Sequence, residues 1–381
     1  MIGFASRGLR RFSTARLGEF EWVHNRKSWE YSYTVIVPDQ VERSKGTLVM
    51  FPSTTLLSSR EEWRECAEYL ADIGYQSVLL DWPGWHQKNI PLNWALEDDV
   101  AQKSVISTYA QFAYSALDHI QREFPNSSLH AVAAGGNSGV HVKRALGELD
   151  GDNSHFSSLT CFSPSWRFYL TRYVSEGYPR KLARRQAIAD WFLSSFFTRS
   201  KTMYRLYRSK LGLSKLTKRF YDEKLQHNSD LLEAKREVIT RDRPLSIDAA
   251  MIAGHFDPVS STQEFLTQLM GHDASAESAH PDDSDDDDSL LNIKVPNWVK
   301  PSPSPEQTTP EQCSSGIRLH LVFPQDVAGK DKRELQTIRE WAEHAKISTS
   351  EIPGKLFCHE ESPALSATLI HQFLSTVSPA S

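Results

Sequence analysis

Residues 129–139, LHAVAAGGNSG, decide the fold. Leu129–Ala134 is a short continuous apolar run, the pattern of a strand buried on both faces of a sheet. The next five positions hold Gly135, Gly136 and Gly139 around Asn137 and Ser138, and an amphipathic stretch then runs to Leu149. This reads as strand, tight turn and helix. A turn this sharp strains the backbone of its central residue and brings helix and strand close, so small residues are needed on either side. With Gly135 and Gly139 as those small residues, the spacing centres the turn on Asn137. In that register the Asn137 side chain points into a crevice at the strand's carboxyl end. The next N–H and the helix N-terminus then face any negative charge developing there.

The alternation continues in both directions. Upstream, 19–24 and 29–38 (WEYSYTVIVP) alternate apolar and polar residues and predict a leading hairpin. Segments 46–52 (GTLVMFP) and 76–80 read as buried strands. Ser58 and Glu61 have the spacing of a capping box, opening a helix with Trp63, Cys66, Ala67 and Leu70 on one stripe. Asp99–Glu123 predicts a long amphipathic helix that Pro125 stops. Its apolar face holds Tyr109, Phe112, Ala113, Ala116 and Ile120. Downstream come strands at 158–162, 318–323 and 347–352, a helix at 332–345 and a closing helix at 364–377. Strands alternating with helices define an α/β fold, a mostly parallel sheet with helices on both faces.

The chain has 381 residues, 39% hydrophobic and 24% charged, which allows a large core and excludes bulk disorder. It contains no apolar run long enough for a helical membrane span. The formal net charge of −5 combines two opposed blocks: eight acids and no Lys or Arg in 272–289, and 15 Lys/Arg against four acids in 167–224. The basic block is rich in aromatic residues and helix formers, so 167–245 reads as a helical cap inserted into the core, followed by a junction at 246–271. The acidic and then Pro/Ser-rich stretch 272–316 predicts a disordered excursion. The core itself is expected at 19–166 and 317–381. Residues 1–18 carry four arginines and no acid, the composition of an organelle leader. That reading predicts a mitochondrial protein, with plastid and cytoplasm as alternatives. Cys66, Cys161, Cys313 and Cys358 form no C-x-x-C pair, so they read as free thiols and predict no metal site.

Four local patterns together resemble the α/β-hydrolase superfamily. They are Asp81-Trp82-Pro83-Gly84-Trp85-His86, the turn at Gly135–Gly139, the cap, and the loop Pro353-Gly354 to His359-Glu360-Glu361-Ser362-Pro363. SSREEWRECAEYLADIGYQSVLLDWPG and GHFDPVSSTQEF are more narrowly similar to α/β-hydrolase-like proteins of cyanobacteria and plant plastids. The resemblance implies a nucleophile at the centre of the elbow, where this chain has Asn137. Ser138 serves instead only if the register shifts by one. It implies a catalytic histidine in the loop before the last helix, here His359, and an acid after a late strand. Asp326 is the first choice and Asp257 the second. The loop after the strand at 46–52 would supply the oxyanion or ligand contacts, through Ser53 and Thr54. No cofactor is implied. Two functions follow: an ester or thioester hydrolase with an atypical elbow, or an inactive relative that binds a ligand or partner. The expected partner is a small molecule in the crevice under the cap. The basic cap suits an anionic ligand or a membrane surface. The sequence has no Gly-rich phosphate loop and no RNA-binding signature, which speaks against nucleic acid.

Overall fold

The computed structural model describes residues 13–24, 26–39, 44–55, 57–83, 99–149, 155–165, 209–226, 228–240, 262–270 and 317–377. Eight strands form one sheet: β1 (Ser13–His24), β2 (Lys27–Pro38), β3 (Thr47–Phe51), β4 (Gln76–Leu79), β5 (Leu129–Ala134), β6 (Phe156–Phe162), β7 (Arg318–Pro324) and β8 (Ser348–Ile352). Their order is β1-β2-β4-β3-β5-β6-β7-β8. β2 runs antiparallel to both β1 and β4, and every other neighbouring pair is parallel. The helices are α1 (Arg64–Ile73), α2 (Asp99–Glu123), α3 (Gly136–Leu149), α4 (Lys210–Phe220), α5 (Glu223–Gln226), α6 (Ser229–Thr240), α7 (Thr262–Met270), α8 (Gly329–His344), α9 (Cys358–Glu361) and α10 (Pro363–Val377).

The period of two along each strand divides the core between the faces. Leu48, Met50, Val132 and Ala134 pack with the stripe of α1 and with Ile370 and Leu374 of α10. Val49, Phe51, Ala131 and Ala133 pack with Phe112, Ala113 and Ala116 of α2 and Val142 and Ala145 of α3. At the far end of the sheet, Leu321 and Phe323 meet Ile338 and Ala342 of α8 and Phe265 of α7. The expected mostly parallel sheet with helices on both faces is therefore present, and α2 has the predicted bounds.

Two expectations need correction. β1 begins at Ser13, inside the segment read as a leader, and Ser13–Gly18 pairs with Tyr33–Pro38. Of the four arginines of that segment Arg16 lies in β1, and residues 1–12 lie outside the described residues. Gly18 is small because Tyr33 lies across it: a Cβ there would come within 2.3 Å of the phenol ring. The capping box is also absent. Residues Arg60–Trp63 form a 3-10 helix whose N-cap is Ser59, with no side-chain cap bond. The Ser58 hydroxyl bonds Thr55 Oγ1 at 2.7 Å and Ser53 Oγ instead. Residues 246–261 of the junction, Asp257 among them, and the segment 272–316 lie outside the described residues. Of the cap, the described part is helical: α4, α5 and α6.

Candidate functional site

The crevice lies where the carboxyl ends of β3 and β5 meet the cap and the loop after β8. It is about 60 Å³ in volume. Its polar lining comes from Ser53, Thr54 and Thr55 after β3, from Gly135 and Asn137 at the elbow, and from Ser163 and Ser165 after β6. Among the described residues, Arg219 and Phe220 of the cap and Leu356 and Phe357 of the late loop line it as well. Ligand sites of open α/β sheets lie at this edge.

At the elbow the backbone differs from the expected register. β5 ends at Ala134, Gly135 has φ +80°, and α3 starts at Gly136. Asn137 is not among the positive-φ residues and belongs to the first turn of α3. The strained apex that carries the nucleophile in an elbow is thus Gly135, which has no side chain. The Gly135 N–H donates to the Phe162 carbonyl at 2.8 Å, and the Gly136 N–H to that of Ser165 at 2.8 Å. Gly136 and Gly139 answer a different need. A Cβ on Gly136 would sit 2.5 Å from the Pro164 carbonyl oxygen, and one on Gly139 would sit 2.8 Å from Cys161 Sγ. The helix approaches β6 and the chain after it too closely for any side chain at those two positions.

The other sequence candidates are distributed as follows. Asn137 is 8% exposed and lines the crevice. Ser138 is fully buried, does not line the crevice, and its hydroxyl has no hydrogen-bond partner among the described residues. Ser53 and Thr54 are buried and line the crevice, as expected of that loop. Asp326 follows β7 but is exposed, and its carboxylate accepts the Gly354 N–H at 2.7 Å. It ties the ends of β7 and β8 together.

His359 pairs with an acid the sequence reading did not select. Its Nε2 lies 3.2 Å from Glu62 Oε1, and both side chains are fully buried. The same Glu62 oxygen accepts the Ser53 N–H at 2.8 Å. The imidazole is enclosed by Trp63, Phe162 and Phe357, with ring centroids at 4.4, 6.2 and 5.7 Å. His359 is fully buried and does not line the crevice. Glu62 looks in the sequence like a solvated acid of a first helical turn. Its spacing of four from Cys66 and eight from Leu70 puts it on the buried stripe, which is the signal that could have marked it. Beside His359, Cys358 Sγ lies 3.3 Å from Ser163 Oγ, and burial pushes its thiol up to about 12, so it is not a thiolate nucleophile. Among the described residues no cluster of His, Cys, Asp and Glu could hold a metal ion.

No family model matches the sequence, and no curated protein matches it. Solved structures do. A serine hydrolase of Cycloclasticus zankles is 12% identical with a TM-score of 0.53, covering 94% of this chain and 98% of that one. A serine hydrolase of carbazole degradation is 12% identical with a TM-score of 0.52, covering 95% and 100%. The peroxisomal alpha-beta-hydrolase of Saccharomyces cerevisiae is 12% identical with a TM-score of 0.52, covering 98% and 92%. At such identity the likeness shows the fold: this chain has the α/β-hydrolase fold.

Proposed function

We propose that the protein is a non-catalytic α/β-hydrolase-fold protein whose crevice holds a small molecule. One observation carries the proposal: the apex of the elbow is Gly135, with φ +80° and no side chain to attack a carbonyl. Acyl transfer through an enzyme nucleophile needs that group exposed to substrate and within reach of a base. Ser138 and His359 are fully buried and neither lines the crevice, and His359 Nε2 lies 3.2 Å from Glu62 Oε1. Asn137 lines the crevice, but an amide donates and accepts hydrogen bonds without forming an acyl intermediate.

The second reading is an ester or thioester hydrolase, favoured by neighbours of the same fold that are serine hydrolases by name. Labelling with a fluorophosphonate probe separates the two. The binding reading expects no labelling of the wild type or of Ser138→Ala. Strong wild-type labelling that disappears in Ser138→Ala would establish the offset serine as nucleophile and end it.

A further inference from the structure

We propose that α9 is a latch: it moves with the described part of the cap and opens the crevice by parting from the core where His359 meets Glu62. The inference goes beyond the binding reading, since it concerns access to the crevice and holds whether the crevice binds a ligand or hydrolyses one. The first two residues of α9 face the core. Cys358 Sγ lies 3.3 Å from Ser163 Oγ, and His359 Nε2 lies 3.2 Å from Glu62 Oε1. The last two face the cap. Glu360 meets the Lys235 ammonium at 2.8 Å and accepts the Tyr221 hydroxyl, and Glu361 accepts the Asp222 N–H. A single helical turn closes too few backbone bonds to hold itself, so these side chains place it. Its two flanks are not helical: Phe357 has φ −102° and ψ 38°, and Ser362 has φ −134° and ψ 61°. Upstream, Gly354 has φ +117° and is bonded to Asp326, which fixes the point from which the segment can turn.

The two sides of α9 are not equally secure. On the cap side the contacts are charge-assisted, and Phe357 adds a stack on Phe220 with ring centroids 4.9 Å apart. On the core side, Glu62 and His359 are fully buried, yet Glu62 Oε2 and His359 Nδ1 have no hydrogen-bond partner among the described residues. Trp63, whose ring lies 4.4 Å from the imidazole, spends its N–H on the Phe51 carbonyl at 3.0 Å. Buried polar atoms without partners carry a desolvation cost that water removes once they are exposed. Parting is therefore favoured between His359 and Glu62, while α9 keeps its hold on the cap. Phe220 and Phe357 on the moving side and Ser53, Gly135 and Ser163 on the core side line the same crevice, so their separation opens it.

The experiment is native-state labelling of the full chain with iodoacetamide, read at each cysteine by peptide mass spectrometry. Cys66 of α1, Cys161 of β6 and Cys358 of α9 are free, fully buried thiols, and burial raises the pKa of all three. Differences in labelling thus report local opening rather than thiol reactivity. In the wild type Cys358 is expected to label roughly tenfold or more faster than Cys66 and Cys161. Glu62→Gln keeps an acceptor for the Ser53 N–H and removes the charge beside His359. It is expected to speed Cys358 labelling by a further factor of roughly ten, with Cys66 and Cys161 unchanged. His359→Gln should act alike, and the double variant should label no faster than the faster single one, because both act at one contact. Equal labelling of the three cysteines in the wild type overturns the latch, and that comparison stands even if a variant fails to fold. So does a variant that speeds all three cysteines together, which is a loss of overall stability, or a double variant whose two effects multiply.

Discussion

Gly135 and Gly136 are adjacent and both achiral, yet they are small for different reasons. Gly135 supplies a left-handed backbone and has ordinary space around it, with Ser53 Cβ 3.5 Å from where its own Cβ would be. Gly136 has no such space, because a backbone oxygen that cannot move aside occupies it. Gly135→Ala should therefore cost about 1–2 kcal/mol of backbone strain. Gly136→Ala should cost about 2–4 kcal/mol through forced displacement of the helix. Urea unfolding of the two variants checks the order, and equal values would contradict the assignment of the apex. For the same reason Asn137→Ser should gain no fluorophosphonate labelling, since it lies a half-turn into α3 and His359 stands outside the crevice. The presence of an elbow was legible in the sequence, but its register was not. The frame with glycine on both flanks is the one centred on Asn137, but Gly136 and Gly139 are small because of Pro164 and Cys161, close approaches that local spacing does not reveal.

Among the elements, the short helix α9 carries the site's histidine and is held from two sides. From the core, Glu62 Oε1 of the 3-10 helix lies 3.2 Å from His359 Nε2. From the cap, Lys235 of α6 reaches Glu360 at 2.8 Å and the Tyr221 hydroxyl donates to the same carboxylate at 2.5 Å. The backbone of α4's last residue joins in, with the Phe357 N–H donating to the Phe220 carbonyl at 3.1 Å. Lys235 is 3% exposed and its ammonium also lies over the Tyr221 and Phe357 rings. Removing one partner of a buried pair leaves the other charge uncompensated. Lys235→Met should thus destabilise the cap by about 2–4 kcal/mol and expose 228–240 to limited proteolysis before the core melts. Unchanged proteolysis would show that the pair does not anchor the cap. The amphipathic helices were readable because their stripes are local: α1 and α2 bury the residues their spacing selected. The pairing of Glu62 with His359 was not, because it joins an early turn to a late one. The capping box failed for a related reason, since the end of β3 brings Ser53 and Thr55 to the hydroxyl that would have capped.

Across the molecule as a whole, two buried histidines, His130 and His320, sit in the described sheet. His130 of β5 shares its ring nitrogens with Ser158 at 2.9 Å and Ser128 at 3.2 Å, and His320 of β7 bonds Ser348 at 2.9 Å and stacks on Phe373. Burial lowers both from 6.5 to about 4. On acidification the unfolded chain takes up these protons first. Their contribution is therefore complete above pH 6.5 and is lost progressively down to about pH 4. The loss should be on the order of 2–3 kcal/mol per histidine. Unfolding in urea at neutral and acidic pH measures it. A double variant, His130→Gln with His320→Gln, should flatten the dependence, and an unaltered slope would assign it elsewhere. The sheet order has a separate consequence for biosynthesis. β6 pairs on one side with β5, already made, and on the other with β7, which begins only at Arg318. At roughly 5–20 residues per second the ribosome leaves that edge open for on the order of ten to thirty seconds. Throughout that interval the nascent chain presents an unpaired apolar strand, so β6 is the segment a chaperone must shield, and chains released before β7 is made are the ones that should aggregate.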